Sequence, residues 1–230
     1  MCAANDLHEK IAAYYDTGAA DPHHRYRSWE HCHRFFRARP RETLLADKDT
    51  AALHLAFYLA SWGMLRGSTF LLQKAYTAHT GVVERLLSPE FAGLWQQEVG
   101  SGRPDEALLT TIVGLVDAVE AAYAPFGPAT DTLITKVILG TIGCLPAVDR
   151  FFVDGFRKCG YPYSRLNAEF IVRILMFCNK YVDALRTEQD RIEAAGGMRY
   201  PLMKLADMYF WQIGYDAAPP KAKREADGLE

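Results

Sequence analysis

The stretch LNAEFIVRILMFCNKYVDAL, residues 166–185, carries apolar side chains three or four positions apart. This spacing places them on one face of an α-helix, because a helix completes a turn every 3.6 residues. Polar side chains such as Glu169 and Arg173 occupy much of the remaining circumference. We therefore predict an amphipathic helix over about residues 164–186 at the centre of the fold. Its polar continuation, Arg186 to Glu193, is expected to project into solvent.

The same periodicity extends over most of the chain, and no segment alternates as a strand would. It predicts further helices at about 4–15, 26–38, 68–87, 130–142, 146–158 and 201–213, and an apolar one over 53–65. One more helix begins at Ser88-Pro89, and another opens at Pro104-Asp105-Glu106 and ends before Pro125. The fold class is therefore all-α, a single compact multi-helix domain of about nine or ten helices over residues 1–215. Residues 216–230 contain two prolines and seven charged residues, which predicts a disordered tail.

The composition of the chain argues against several classes of protein. Its 230 residues are 50% apolar, and its formal net charge is -2, so no global field attracts nucleic acid or an anionic membrane. No apolar stretch reaches the roughly 20 residues of a membrane-spanning helix, and residues 1–15 lack the apolar core of a signal peptide. Five scattered cysteines form no disulfide framework. We expect a soluble cytoplasmic protein with reduced thiols and no membrane partner.

An arginine-rich segment, HHRYRSWEHCHRFFRARPR at residues 23–41, holds six arginines against one acid, with aromatic residues between them. Guanidinium groups beside flat rings suit phosphate contact and base stacking. A nucleic-acid surface would use Arg25, Arg27, Arg34 and Arg37. The alternative is packing, since Trp29, Cys32, His33 and Phe36 share one helical face that can enter the core.

The same segment contains several residue types that bind metals, namely His23, His24, His31, Cys32 and His33. His31 and His33 point to nearly opposite sides of a helix, and no His–His or His–Cys pair in the chain has the i, i+4 spacing that a helical metal site requires. No metal site is predicted. The chain also lacks a P-loop and a dinucleotide fingerprint, so no cofactor is predicted.

A second candidate site lies where the apolar helix 53–65 ends, at LASWGMLRG, residues 59–67. A charged Arg66 among apolar residues requires a carboxylate, a carbonyl or a ligand anion. The glycines on either side of it allow another backbone or a bound molecule to approach closely. The alternative is a tight helix crossing in which Arg66 caps carbonyl groups. Arg150, next to Asp149, is a further candidate for anion binding.

A third candidate is the stretch GPATDTLITKVILGTIGCLPAVD, residues 127–149. Over about a third of the chain, its order of turn, helix, loop and Asp resembles the helix-hairpin-helix DNA glycosylase superfamily, as does LADMYFWQ at 205–212, which is similar to a closing helix of some members. The resemblance implies a hairpin at Gly127 that binds DNA phosphate and a catalytic role for Asp149. Ala129 replaces the second hairpin glycine, and Asp131 stands where bifunctional members carry their lysine, which excludes lyase chemistry by that route.

Asp149 also has a structural alternative, as a helix N-cap after Pro146. In addition, the strings WEHC, YLASWGM and GCLPAVDRFF resemble a bacterial family of unassigned function.

Three functional hypotheses follow. The first is a structural or interaction module that forms a homo-oligomer. The second is a nucleic-acid-associated protein with a glycosylase-like core. The third is a small-molecule enzyme with a pocket near Arg66 and Asp149. The surroundings of Arg66 and Asp149 are the most informative observation. The two residues either line one shared cleft, or each caps a separate helix in the interior.

Overall fold

The computed structural model describes residues 4–67 and 69–227, with side chains over residues 6–67 and 69–223. This part of the chain is helical and contains no strand, which confirms the all-α class. Its α-helices are α1 Ala4–Ala19, α2 Arg27–Arg37, α3 Arg41–Ala46, α4 Lys48–Ser61, α5 Thr80–Leu86, α6 Ala92–Gln96, α7 Glu106–Tyr123, α8 Asp131–Gly140, α9 Arg150–Lys158, α10 Ala168–Lys180, α11 Val182–Ala194, α12 Leu202–Ala217 and α13 Pro220–Asp227.

The helix count differs from the prediction of nine or ten, because some predicted helices are divided. Over the predicted helix 68–87, the described residues form two 3-10 turns, Phe70–Gln73 and Tyr76–His79, followed by α5. Ser68 lies outside the described residues. Thr69 is extended, and its hydroxyl accepts the Leu71 N–H at 3.4 Å. Such a side-chain bond competes with helical hydrogen bonding and favours a turn.

The long helix predicted at 164–186 is divided as well, into α10 and α11, at Tyr181. Tyr181 leaves helical geometry (φ -111, ψ 23), although its N–H still donates to the Phe177 carbonyl at 3.1 Å. The bend lets α11 pack on α1 and α12. Glu188 and Gln189 are consequently buried, so the expectation that residues 186–193 project into solvent is wrong.

The central position belongs to α12. Every side chain from Leu202 to Trp211 is buried, and α12 packs against α1, α9, α10 and α11. A helix that is buried on all sides is the core of a helical domain. The helix 164–186 was expected to hold that place, but α10 and α11 each keep an exposed polar face.

The packing of α9 on α12 depends on two glycines. A Cβ atom at Gly155 would lie 1.9 Å from the Phe210 carbonyl oxygen, and one at Gly214 would lie 1.9 Å from the Phe151 carbonyl oxygen. Backbone atoms block both positions, so no side chain fits at either residue. The two helices therefore touch backbone to backbone, which fixes the position of α9.

The segment predicted as a disordered tail contains α13. Its helix begins at Pro220, whose ring suits the first helical position. The N–H of Lys223 donates to the Pro219 carbonyl at 3.2 Å, and the Lys223 ammonium donates to the Asp216 carbonyl at 3.0 Å. Residues 228–230 lie outside the described part of the chain.

Two expectations from composition can be compared with the structure. None of the helices in the described ranges combines the length and the apolar character that crossing a membrane requires. Cys32, Cys144 and Cys178 are buried free thiols. Cys159 is partly buried. Cys2 lies outside the described residues.

The glycine contact gives a first prediction. Gly155→Ala should lower the free energy of unfolding by about 3 kcal/mol or more, because the added methyl group meets a carbonyl that cannot move without shifting α12. Gly81→Ala is the control, since a Cβ there meets no atom within 4 Å. Urea unfolding of the two variants measures the difference. Equal stabilities would contradict the backbone-to-backbone packing of α9 on α12.

Candidate functional site

One cleft brings together candidate residues that lie far apart in the sequence. Arg66, Asp149 and Arg150 line it, together with Arg25 from the segment before α2. Its volume is about 320 Å³, at the lower end of the ~300–1,000 Å³ range of small-molecule sites. The remaining lining residues are Trp62, Met64, Thr132, Lys136, Phe151 and Trp211. Arg66 and Asp149 therefore share a cleft and do not lie in two separate caps.

The loop between α8 and α9 is buried over residues 141–148, and side chains hold its backbone. The Ala147 N–H donates to Asp207 Oδ1 at 3.0 Å, and the Val148 N–H donates to the Thr135 hydroxyl at 2.9 Å. The Thr132 hydroxyl in turn donates to the Val148 carbonyl at 2.8 Å. These bonds satisfy polar groups that burial would otherwise leave unpaired. They also fix the position at which Asp149 emerges.

Asp149 caps α9 and also lines the cleft. Its Oδ1 accepts the Phe152 N–H at 3.0 Å, which is the N-cap of α9. Its Oδ2 lies 3.4 Å from Lys136 Nζ, with the Lys136 side chain 5% exposed and the Asp149 side chain 20% exposed. One carboxylate oxygen is thus used in folding, while the other faces a buried ammonium group at the cleft.

A second ion pair lies deeper in the molecule. Lys204 Nζ donates to Asp207 Oδ2 at 2.7 Å, and both residues are buried. Burial lowers the pKa of Lys204 and raises the pKa of Asp207, while each partner opposes the shift of the other. The charges of Lys136 and Asp149 also influence both groups. The charges of the two pairs are therefore coupled, with one pair at the cleft and the other deeper in the interior.

Aromatic rings form one wall of the cleft. Trp62 stacks on Tyr26 with ring centres 5.2 Å apart, and Tyr26 stacks on Tyr14 at 4.6 Å. The Arg25 guanidinium and the Lys136 ammonium lie 5.0 and 4.7 Å from the centre of the Trp62 ring. Rings attract cations through their negative faces. The stack therefore helps to hold two positive groups at the cleft.

Arg66 is exposed, and its side chain folds back over Gly63. A Cβ at Gly63 would lie 2.7 Å from Arg66 Nε, and Gly63 has a φ of +73, which favours glycine. The structure shows no ion pair between Arg66 and another residue of the described ranges. Because Gly63 has no side chain, the Arg66 guanidinium can lie over its backbone at the cleft.

The other residues proposed for a nucleic-acid surface lie elsewhere. Arg27 pairs with the buried Glu30 at 3.5 Å, Arg37 donates to the Trp95 carbonyl, and Arg34 is exposed on α2. Gly127 packs against the ring of Phe70. Of this group, only Arg25 lines the cleft.

The packing alternative for the arginine-rich segment describes α2 correctly. Trp29, Cys32, His33 and Phe36 are all buried there. Burial also lowers the pKa of His33 to about 3, so its imidazole is neutral. Among the described residues, no group of His, Cys, Asp and Glu side chains could hold a metal ion.

Sequence reasoning did not identify Lys136 as a site residue. It is a charged residue within the apolar run Leu133 to Leu139, and such a position requires a partner when the helix is buried. This signal was visible in the sequence. By contrast, the contributions of Trp62 and Trp211 depend on helices that meet only in the folded chain.

The buried pair behind the cleft gives a second prediction. Lys204→Met should cost about 3–5 kcal/mol of stability, because it leaves the Asp207 carboxylate buried without its cation. The double variant Lys204→Met/Asp207→Asn should recover part of that loss, since the charge is gone and an oxygen still accepts the Ala147 N–H. Lys48→Met, which removes an exposed pair with Glu84, should cost less than about 1 kcal/mol. Urea unfolding measures the stability of each variant. If the loss in the double variant equals the sum of the losses in Lys204→Met and Asp207→Asn alone, the two charges are not coupled and the prediction is contradicted.

Comparison with known proteins identifies no relative. The chain matches no protein-family model, and neither the curated proteins nor the solved structures include a significant match. The resemblance to the helix-hairpin-helix DNA glycosylase superfamily therefore stays a prediction, and function has to be argued from the cleft itself.

Proposed function

We propose that the cleft binds a nucleotide unit, with its phosphate held by the arginines and its flat ring against the aromatic wall. The observation that carries this proposal is the composition of the lining. Four cationic side chains, Arg25, Arg66, Lys136 and Arg150, stand against one carboxylate, Asp149, beside two tryptophans and a phenylalanine. The chain as a whole is slightly acidic, so this positive charge is a local feature.

The cations favour a phosphate over a single carboxylate. Arginine binds phosphate oxygens through two parallel N–H bonds, and the site supplies guanidinium groups from three different segments of the chain. Arg66 and Arg150 are exposed at the entrance, whereas Lys136 lies deeper. A phosphate at the entrance can contact Arg66 and Arg150 without displacing Lys136 from Asp149.

The aromatic wall favours a ligand with a flat ring. Trp62, Phe151 and Trp211 line the cleft, and a heterocyclic base can pack against their exposed edges. Base–aromatic stacking contributes up to ~1–3 kcal/mol per base. The cleft volume of about 320 Å³ suits one nucleotide. A free nucleotide and a nucleotide within a strand offer the same chemistry, so both are used as ligands in the test.

Asp149 is the candidate for proton transfer within this proposal, because it is the carboxylate that lines the cleft. Its Oδ2 faces the Lys136 ammonium, a suitable arrangement for exchange of a proton with a bound ligand. Binding, rather than catalysis, is the function that the lining supports directly. Asp149→Asn keeps an oxygen for the N-cap and removes the negative charge.

The proposal predicts that a deoxynucleoside monophosphate binds at least tenfold more tightly than its nucleoside or inorganic phosphate. Arg66→Ala should weaken nucleotide binding tenfold or more, since a charge-assisted bond contributes ~1.5–3 kcal/mol, and should leave apo melting nearly unchanged. Arg103→Ala, an exposed arginine that does not line the cleft, is the matched control. Asp149→Asn should strengthen binding. Calorimetric titration with each of the four monophosphates and with a hexanucleotide measures these effects.

Two results would contradict the proposal. If Arg66→Ala lowers apo stability as much as it lowers affinity, Arg66 is structural. If no nucleotide or hexanucleotide binds at millimolar concentration, the cleft has another role. The hypothesis of a structural or interaction module that forms a homo-oligomer would then take its place, and light scattering at high protein concentration tests it.

A further inference from the structure

A second depression lies next to the cleft along α9. Arg150 and Phe151 line both, and the second is further lined by Asp154, Arg157 and Lys158 on α9. Its other side is formed by small and apolar residues at the end of α12 and the start of α13, namely Gly214, Ala217, Ala218, Pro219 and Ala222. Its volume is about 510 Å³, so this depression, called the trough below, adds room beyond the single nucleotide of the cleft.

The charged side chains of this trough follow one stripe of the helix. Arg150, Asp154, Arg157 and Lys158 are spaced i, i+4, i+7 and i+8, which places them on the same face of α9. From Arg150 to Arg157 the helix rises about 10.5 Å. At ~3.4 Å per nucleotide along a stacked strand, this distance corresponds to about three nucleotides.

The lining of the trough differs from that of the cleft in a way that suits a sugar-phosphate backbone. The trough contains three cations and one carboxylate, and beyond Phe151 it has no aromatic ring among its lining residues. Arg157 and Lys158 are exposed, and one Arg157 nitrogen donates to the Tyr163 carbonyl at 2.8 Å, which orients the guanidinium. Phosphates can approach this surface, while bases find no stacking partner beyond the cleft.

We infer that the ligand of the site is a single-stranded oligonucleotide. One nucleotide occupies the cleft, where Arg66 and Arg150 hold its phosphate, and the next two phosphates lie along Arg157 and Lys158. This inference rests on the proposed function, because it extends the nucleotide site and does not replace it. Unlike the proposal of a single-nucleotide site, the inference requires that affinity increase with the length of the strand.

The experiment is a length series of 5′-phosphorylated oligodeoxynucleotides, from one to six residues, of the base that binds best as a monophosphate. Competition in fluorescence anisotropy should show affinity rising at least tenfold from one to three nucleotides and levelling off beyond about four. Lys158→Ala should reduce this gain without changing mononucleotide affinity. It should also make the slope of log affinity against log salt less steep by about 0.7, the contribution of one phosphate contact on a single strand.

Matched variants keep the test independent of folding. Asp154→Asn should increase affinity for the trinucleotide, because it removes the negative charge from the stripe, and Arg103→Ala should leave the length series unchanged. Equal affinities for one and three nucleotides would overturn the inference while leaving the proposed nucleotide site intact. Tighter binding of a duplex than of the single strand would also overturn it. Absence of binding by every member of the series would remove the proposed function as well.

Discussion

Asp207 is a carboxylate on a helix that is buried along most of its length, and both of its oxygens are engaged. One accepts the Ala147 N–H at 3.0 Å and the other accepts the Lys204 ammonium at 2.7 Å. An isolated charge in such a place costs several kcal/mol, so α12 is stable only where both donors reach it. This constraint ties the buried loop 141–148 to α12 and thereby sets where Asp149 begins α9.

The positive charge of the cleft comes from its arginines, because the ion pairs next to it are neutral overall. Lys204 and Asp207 neutralise each other in the interior, and Lys136 pairs with Asp149 at the cleft. The arginines at the entrance come from separate segments, and Arg66 does not contribute to the buried network. Folding and the proposed binding therefore depend largely on different side chains. Removal of a buried charge should destabilise the protein, whereas removal of Arg66 should change the cleft alone.

Local signals in the sequence predicted some elements well. The start of α7 was predicted at Pro104-Asp105-Glu106, because the residues that cap a helix and those of its first turn are neighbours in the chain. The bend at Tyr181 was not, because no proline or glycine marks it and the packing of α11 on α1 and α12 produces it. At the site, Arg66 and Asp149 were found as unusual residues, but their shared cleft depends on contacts between distant segments. Lys136 was missed, although its charge within an apolar run was a usable signal.

Amide hydrogen exchange at Ala147 tests the central claim most directly. Its N–H is bonded to the Asp207 side chain and not to a backbone carbonyl, so its protection reports on this contact. If the contact holds the buried loop, Ala147 should exchange only through global unfolding, with an opening free energy equal to the unfolding free energy from urea. An opening free energy several kcal/mol below the global value would show that the loop opens on its own and would contradict the account.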